Sequence, residues 1–105
     1  MKSVNIMLAC ASGMSTSLLV TKMQQAAAQK GLEAKIYAVP VAEAVNLLTD
    51  EVDCVLLGPQ VKYLKADFEK KIAGTNIQLA VINMVDYGMM NGEKVLDSAL
   101  AMIGA

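Results

Sequence analysis

Cys10 opens a run whose residue types suit the binding of an anion: Cys10-Ala11-Ser12-Gly13-Met14-Ser15-Thr16-Ser17. A thiolate is a strong nucleophile, and hydrogen-bond donors and the positive end of a helix both favour it over the thiol. Ser12, Ser15, Thr16 and Ser17 supply hydroxyl donors. Gly13 permits a backbone conformation closed to other residues, and a turn of this kind before a helix points its N–H groups inward. These features make a cradle for a dianion with a thiol at its mouth, and the chemistry that fits is transient phosphoryl attachment to sulfur. The same residues also suit a plain turn with a helix cap, and a cysteine at a strand end is often only a small hydrophobe.

Other candidates are weighed in the same way. Cys54 sits among aliphatics in Asp53-Cys54-Val55-Leu56-Leu57, which reads as a buried structural thiol rather than a partner for Cys10. Gly58-Pro59-Gln60 is a turn by composition, and Gln60 could donate to a phosphoryl group or simply face solvent. The Tyr87 phenol, just before Gly88, suits a ligand hydrogen bond or packing against the loop. Asp86, Lys62 and Lys65 read first as solvated, and Met89-Met90 as an adaptable apolar contact.

Absences narrow the chemistry further. The chain has no His, and all 9 basic residues are Lys, so there is no Arg. The usual neutral-pH base and the planar fork that grips phosphate are therefore both missing. No cofactor and no metal site are implied. A formal net charge of −1 with scattered lysines argues against a nucleic-acid footprint or a membrane-surface patch.

The elements that must position these residues follow from the apolar pattern. Residues 4–9 form a nearly continuous apolar run, as in a strand covered on both faces. A helix starts near Ser15, with Leu19, Met23, Ala26 and Ala27 at helical spacing, and stops at Gly31. Residues 33–39, 53–57 and 77–82 read as further strands. A short helix carries Val41, Ala44, Val45 and Leu48. Another carries Val61, Leu64, Phe68 and Ile72, and a last one Val95, Leu96, Ala99, Leu100 and Ile103. Strands alternating with helices predict an α/β fold: an open four-stranded parallel sheet with helices on both faces, order 2-1-3-4. The 105 residues, 55% hydrophobic and only 4% aromatic, suffice for one domain over 1–105 with an aliphatic core. In such sheets ligands lie beyond the carboxyl ends of the strands. Cys10 and its loop, Gly58-Pro59-Gln60 and residues 83–88, read as a loop, should share that rim.

The run I-M-L-A-C-A-S-G-M-S-T-S-L-L-V over residues 6–20, with L-L-G-P-Q over 56–60 and Tyr87-Gly88, resembles the IIB component of the bacterial sugar phosphotransferase system. The branch it is similar to is the cellobiose type of the lactose/cellobiose (diacetylchitobiose) family. The resemblance implies a fold close to low-molecular-weight tyrosine phosphatases. It implies a carrier that accepts a phosphoryl group from a histidine of the IIA partner onto Cys10, held by the loop Ala11 to Ser17. The phosphoryl group then goes to a disaccharide bound by the membrane-embedded IIC partner during uptake. Gly58, Pro59, Gln60 and Tyr87 fall on the rim. Ala11 departs from the Ser common in relatives and removes one hydroxyl. Thr16 stands where the Arg of the phosphatase loop C-x5-R would be, as suits a carrier that must hold a phosphothiol rather than hydrolyse it.

Two rivals remain at this stage. A phosphatase-like or arsenate-reductase-like enzyme would need the missing Arg. A flavodoxin-like FMN module would fit S-G-M-S-T-S but lacks aromatics to stack on a flavin. With no export signal or membrane span in view, the expected location is the cytoplasm, with recruitment to the inner membrane face through IIC.

Overall fold

The structure, a computed structural model, describes residues 3–11 and 16–104. Four parallel strands, β1 (Val4–Cys10), β2 (Ala34–Pro40), β3 (Cys54–Leu57) and β4 (Gln78–Val81), form one sheet of order β2-β1-β3-β4. This is the expected order. The helices are α1 (Ser17–Gln29), α2 (Val41–Ala44), α3 (Lys65–Ile72), α4 (Met84–Gly88) and α5 (Gly92–Ile103). Short 3-10 segments, Val45–Leu47 and Pro59–Leu64, follow α2 and precede α3.

β1 is parallel to both of its neighbours, and crossover helices pack on each side of such a sheet, so both of its faces must be apolar. Its alternation sorts the core into two layers. Val4, Ile6 and Leu8 pack with Leu19, Met23, Ala27, Leu96 and Ala99 of α1 and α5. Met7 and Ala9 pack on the other face with Val61, Phe68 and Ile72 of the α3 region. Helices therefore cover both faces, and Cys10, sharing the parity of Ile6 and Leu8, belongs to the α1 side.

Three local readings differ from the structure. The stripe over 61–72 is not one helix: Val61 has non-helical dihedrals (φ −117°, ψ 22°), and a 3-10 segment that starts on Pro59 precedes α3. The second helix is shorter than its apolar spacing implies, and only Ala44 in it is buried. Residues 84–88, read as loop, form α4. Asn83 caps it, its side-chain oxygen accepting from the N–H groups of Val85 (2.9 Å) and Asp86 (3.1 Å).

Candidate functional site

β1 ends at Cys10, the last rung of its ladder, opposite Pro40 of β2. On the other side the ladder runs one residue past β3, where the Gly58 N–H donates to the Ala9 carbonyl at 2.8 Å. The chain leaves β1 toward β2 on one side and reaches β3 on the other. The sheet's switch point, where such folds bind ligands, is therefore at Cys10.

Gly58 is buried against Cys10. A Cβ built on it would stand 3.4 Å from the Cys10 Cβ and 3.1 Å from Gln60 Oε1. Gln60 is exposed, at the start of the 3-10 segment that follows, with its amide folded back over Gly58. Of the sequence-predicted rim residues, Gly58 is thus beside Cys10 and Gln60 reaches back toward Gly58.

Thr16 is the N-cap residue of α1, and its carbonyl accepts from the Val20 N–H at 2.9 Å. Its side chain makes no capping bond. Instead Thr16 Oγ1 lies 3.4 Å from Cys10 Sγ, and both side chains are fully buried. This contact places the amino end of α1 at the sulfur, with the positive end of the helix beside the one atom suited to carry an anion. Ser17 begins the helix and is exposed, as is Ala11. Ser12, Gly13, Met14 and Ser15 lie outside the described residues.

A thiol that trades phosphoryl groups between proteins would be expected at an exposed rim, yet Cys10 is buried. It has Pro40 of β2 on one side and Gly58, just past β3, on the other, with Thr16 against it. Tyr87 is half-buried on α4 and packs against the α1–α5 layer. Cys54 pairs with Ile6, four residues back along β1 from Cys10, or about 13 Å away, too far for a disulfide. Burial, with a smaller contribution from Asp53, pushes its thiol up to about 12, so it is inert near neutral pH.

Among the described residues six large apolar side chains are exposed: Leu18 on α1 after β1, Leu47 after β2, Tyr63 after β3, and Met84, Val85 and Met89 after β4. Met90 is half-buried against the core, whereas Lys62 and Lys65 are exposed. Among the described residues no group of three His, Cys, Asp or Glu side chains converges to hold a metal ion. No described helix is long and apolar enough to cross a membrane.

Residues 5–98 match the model of the lactose/cellobiose-specific IIB subunit of the phosphotransferase system. The galactose-specific EIIB component of Lactococcus lactis subsp. cremoris (strain MG1363) is 49% identical over 98 residues, spanning 90% of this chain and 91% of that protein. The cellobiose-specific EIIB component of Lactococcus lactis subsp. lactis (strain IL1403) is likewise 49% identical over 98 residues, with the same coverage. The solution structure of the cellobiose-specific IIB component from Borrelia burgdorferi superimposes with a TM-score of 0.77 at 39% identity, over 98% of this chain and 94% of that one. Neither rival class, flavin module or phosphatase, is favoured by these relationships. A sheet of order 2-1-3-4, a thiol at its switch point and a family match over nearly the whole length agree: the chain belongs to the lactose/cellobiose family of phosphotransferase-system IIB components, the sugar-specific phosphoryl carriers of that system.

Proposed function

We propose that Cys10 is the residue that carries the phosphoryl group, taking it from a phosphohistidine of the IIA partner and giving it to a sugar bound by the membrane IIC partner. The observation that carries this reading is the place of Cys10 Sγ: at the switch point of the sheet, 3.4 Å from the hydroxyl that heads α1. In loading, a sulfur lone pair attacks phosphorus in line. The S–P bond forms as the P–N bond breaks, and the imidazole nitrogen keeps that electron pair and takes a proton. In unloading, a sugar hydroxyl attacks phosphorus and the S–P electron pair returns to Cys10. The hydroxyl proton passes to a base on the partner, since this chain has no histidine. N–H groups of the loop Ala11 to Ser17 hold the three equatorial oxygens.

The missing arginine supports a carrier over a hydrolase, because the chain has no guanidinium to grip the phosphoryl group with two parallel charged donors. Exposed apolar side chains such as Leu18, Tyr63, Met84 and Met89 suit brief docking of partners, and docking to IIC would bring the chain to the membrane. Relatives of equal identity carry galactose-specific and cellobiose-specific names, so overall likeness of this chain does not select the sugar. A disaccharide of the cellobiose, diacetylchitobiose or lactose class presented by IIC is the acceptor class we assign.

Peptide mass spectrometry after incubation with phosphoenolpyruvate, the general phosphotransferase proteins and a cognate IIA tests the reading. One phosphoryl group on the Cys10 peptide is expected, lost without IIA and lost in Cys10→Ser, whose fold should be intact. Phosphate on any other residue, or transfer at an appreciable rate by the serine variant, would overturn it.

A further inference from the structure

We propose that the Thr16 hydroxyl serves the sulfur of Cys10 directly, donating a hydrogen bond to the thiolate and thereby setting how readily the thiol takes and releases a phosphoryl group. This deepens, and rests on, the reading of Cys10 as the phosphoryl acceptor. Three observations carry it. Thr16 is the only polar or charged residue in the buried class among the described residues, and a polar group held away from water needs a partner. It occupies the N-cap position of a 13-residue helix, where a threonine ordinarily caps, yet makes no capping bond. Its Oγ1 lies 3.4 Å from Cys10 Sγ.

With a neutral thiol either atom can donate. Once the sulfur is anionic it has no proton, so the hydroxyl is the donor of the pair. A hydrogen bond to a charged acceptor away from bulk water is among the stronger ones. Charged groups on this face are Lys22 on α1, Lys30 just after it, Asp86 on α4, and Glu93, Lys94 and Asp97 on α5, with Lys30 paired to Asp97 at 3.2 Å, and none of them is buried. When the phosphoryl group leaves for the acceptor oxygen, the S–P bond breaks and its electron pair comes to rest on Sγ. The acceptor proton goes to the base on the partner. The negative charge thus returns to the atom beside Thr16 Oγ1. A neutral donor at this position eases departure of the thiolate without gripping the phosphoryl group, as an arginine would.

Alkylation of Cys10 by iodoacetamide across a pH series, read on the Cys10 peptide, reports the thiolate without any phosphoryl transfer. In Thr16→Val the pH midpoint should rise by about one unit, a roughly tenfold lower thiolate fraction below the midpoint. Thr16→Ser should restore it and Thr16→Ala should not, and that pair decides the matter if the valine variant does not fold. Identical midpoints in the hydroxyl-bearing and hydroxyl-lacking variants would overturn the proposal, and any loss of transfer would then belong to contacts with the phosphoryl oxygens. A shifted midpoint in a protein never phosphorylated on Cys10 would sink the carrier reading and leave the contact between Thr16 and the sulfur standing.

Discussion

At Gly58 the distances decide what a single methyl group would do. Its backbone (φ −60°, ψ 150°) is open to any residue. The added Cβ would meet Gln60 Oε1 at 3.1 Å and the Cys10 Cβ at 3.4 Å. The first contact is the end of a flexible side chain and can swing away; the second is ordinary packing. Gly58→Ala should therefore leave stability within about 0.5 kcal/mol, while the displaced Gln60 amide and the filled space beside the thiol slow phosphoryl transfer. A loss of about tenfold is expected, short of the roughly 100-fold that a 1 Å misplacement can cost. Urea unfolding and single-turnover transfer, measured on the same variant, separate the two effects. The composition of L-L-G-P-Q marks a turn but not the close approach, because that depends on β3 lying beside β1 in register. Cys10 itself is legible from its place after an apolar run. The role of Thr16 is less so: sequence makes it one hydroxyl among four, and only the geometry turns it to the sulfur. Burial of the thiol is likewise hidden, since a residue's place at the end of a strand does not say what closes over it.

The elements that hold this site are legible in proportion to their hydrophobic periodicity. β1, α1 and α5 carry long apolar patterns that mark them to within a few residues. α4 spans only Met84–Gly88 with no buried residue, so no apolar stripe marks it; the Asn83 cap, three residues before Asp86, is the signal that could have found it. The packing of α5 on α1 makes a sharper case. A Cβ on Gly92 would come within 2.6 Å of the Lys22 carbonyl carbon and the Met23 nitrogen, both backbone atoms that cannot swing aside. Glycine is what lets the amino end of α5 touch the α1 backbone, and α1 is the helix that presents Thr16 to the sulfur. Gly92→Ala should force the two helices apart at a cost of about 1–3 kcal/mol, the range for overpacking a close contact. A lower urea midpoint with an unchanged slope would bear this out. A variant as stable as the parent would mean that the helices separate freely and that α1 is held in place by the sheet alone.

For the whole molecule the informative group is the one away from the site. The sheet order was readable because alternating strands and helices leave few right-handed solutions, and the same topology buries Cys54 beside Ile6 in the α1–α5 layer. Its thiol is pushed from 9.0 to about 12, by burial first and by Asp53 second. Below pH 9 it is neutral whether the chain is folded or not, and it contributes no pH dependence. Between pH 9 and about 12 the unfolded chain releases the proton and the folded chain retains it, so stability falls as pH rises, by up to about 1.4 kcal/mol per unit. The Tyr37 phenol is also pushed up, by burial against the opposing hydrogen bond with Asn5, and adds a loss of the same sign above pH 10. Comparison with Cys54→Ala cancels that tyrosine contribution. The alanine variant should be less stable at pH 8, where it has lost packing, and the gap should narrow steadily as pH rises from 9 to 11. Urea unfolding of both proteins across that range measures it. A gap constant with pH would mean that Cys54 ionises as easily folded as unfolded, and that the layer between the sheet and its α1–α5 face is open to water.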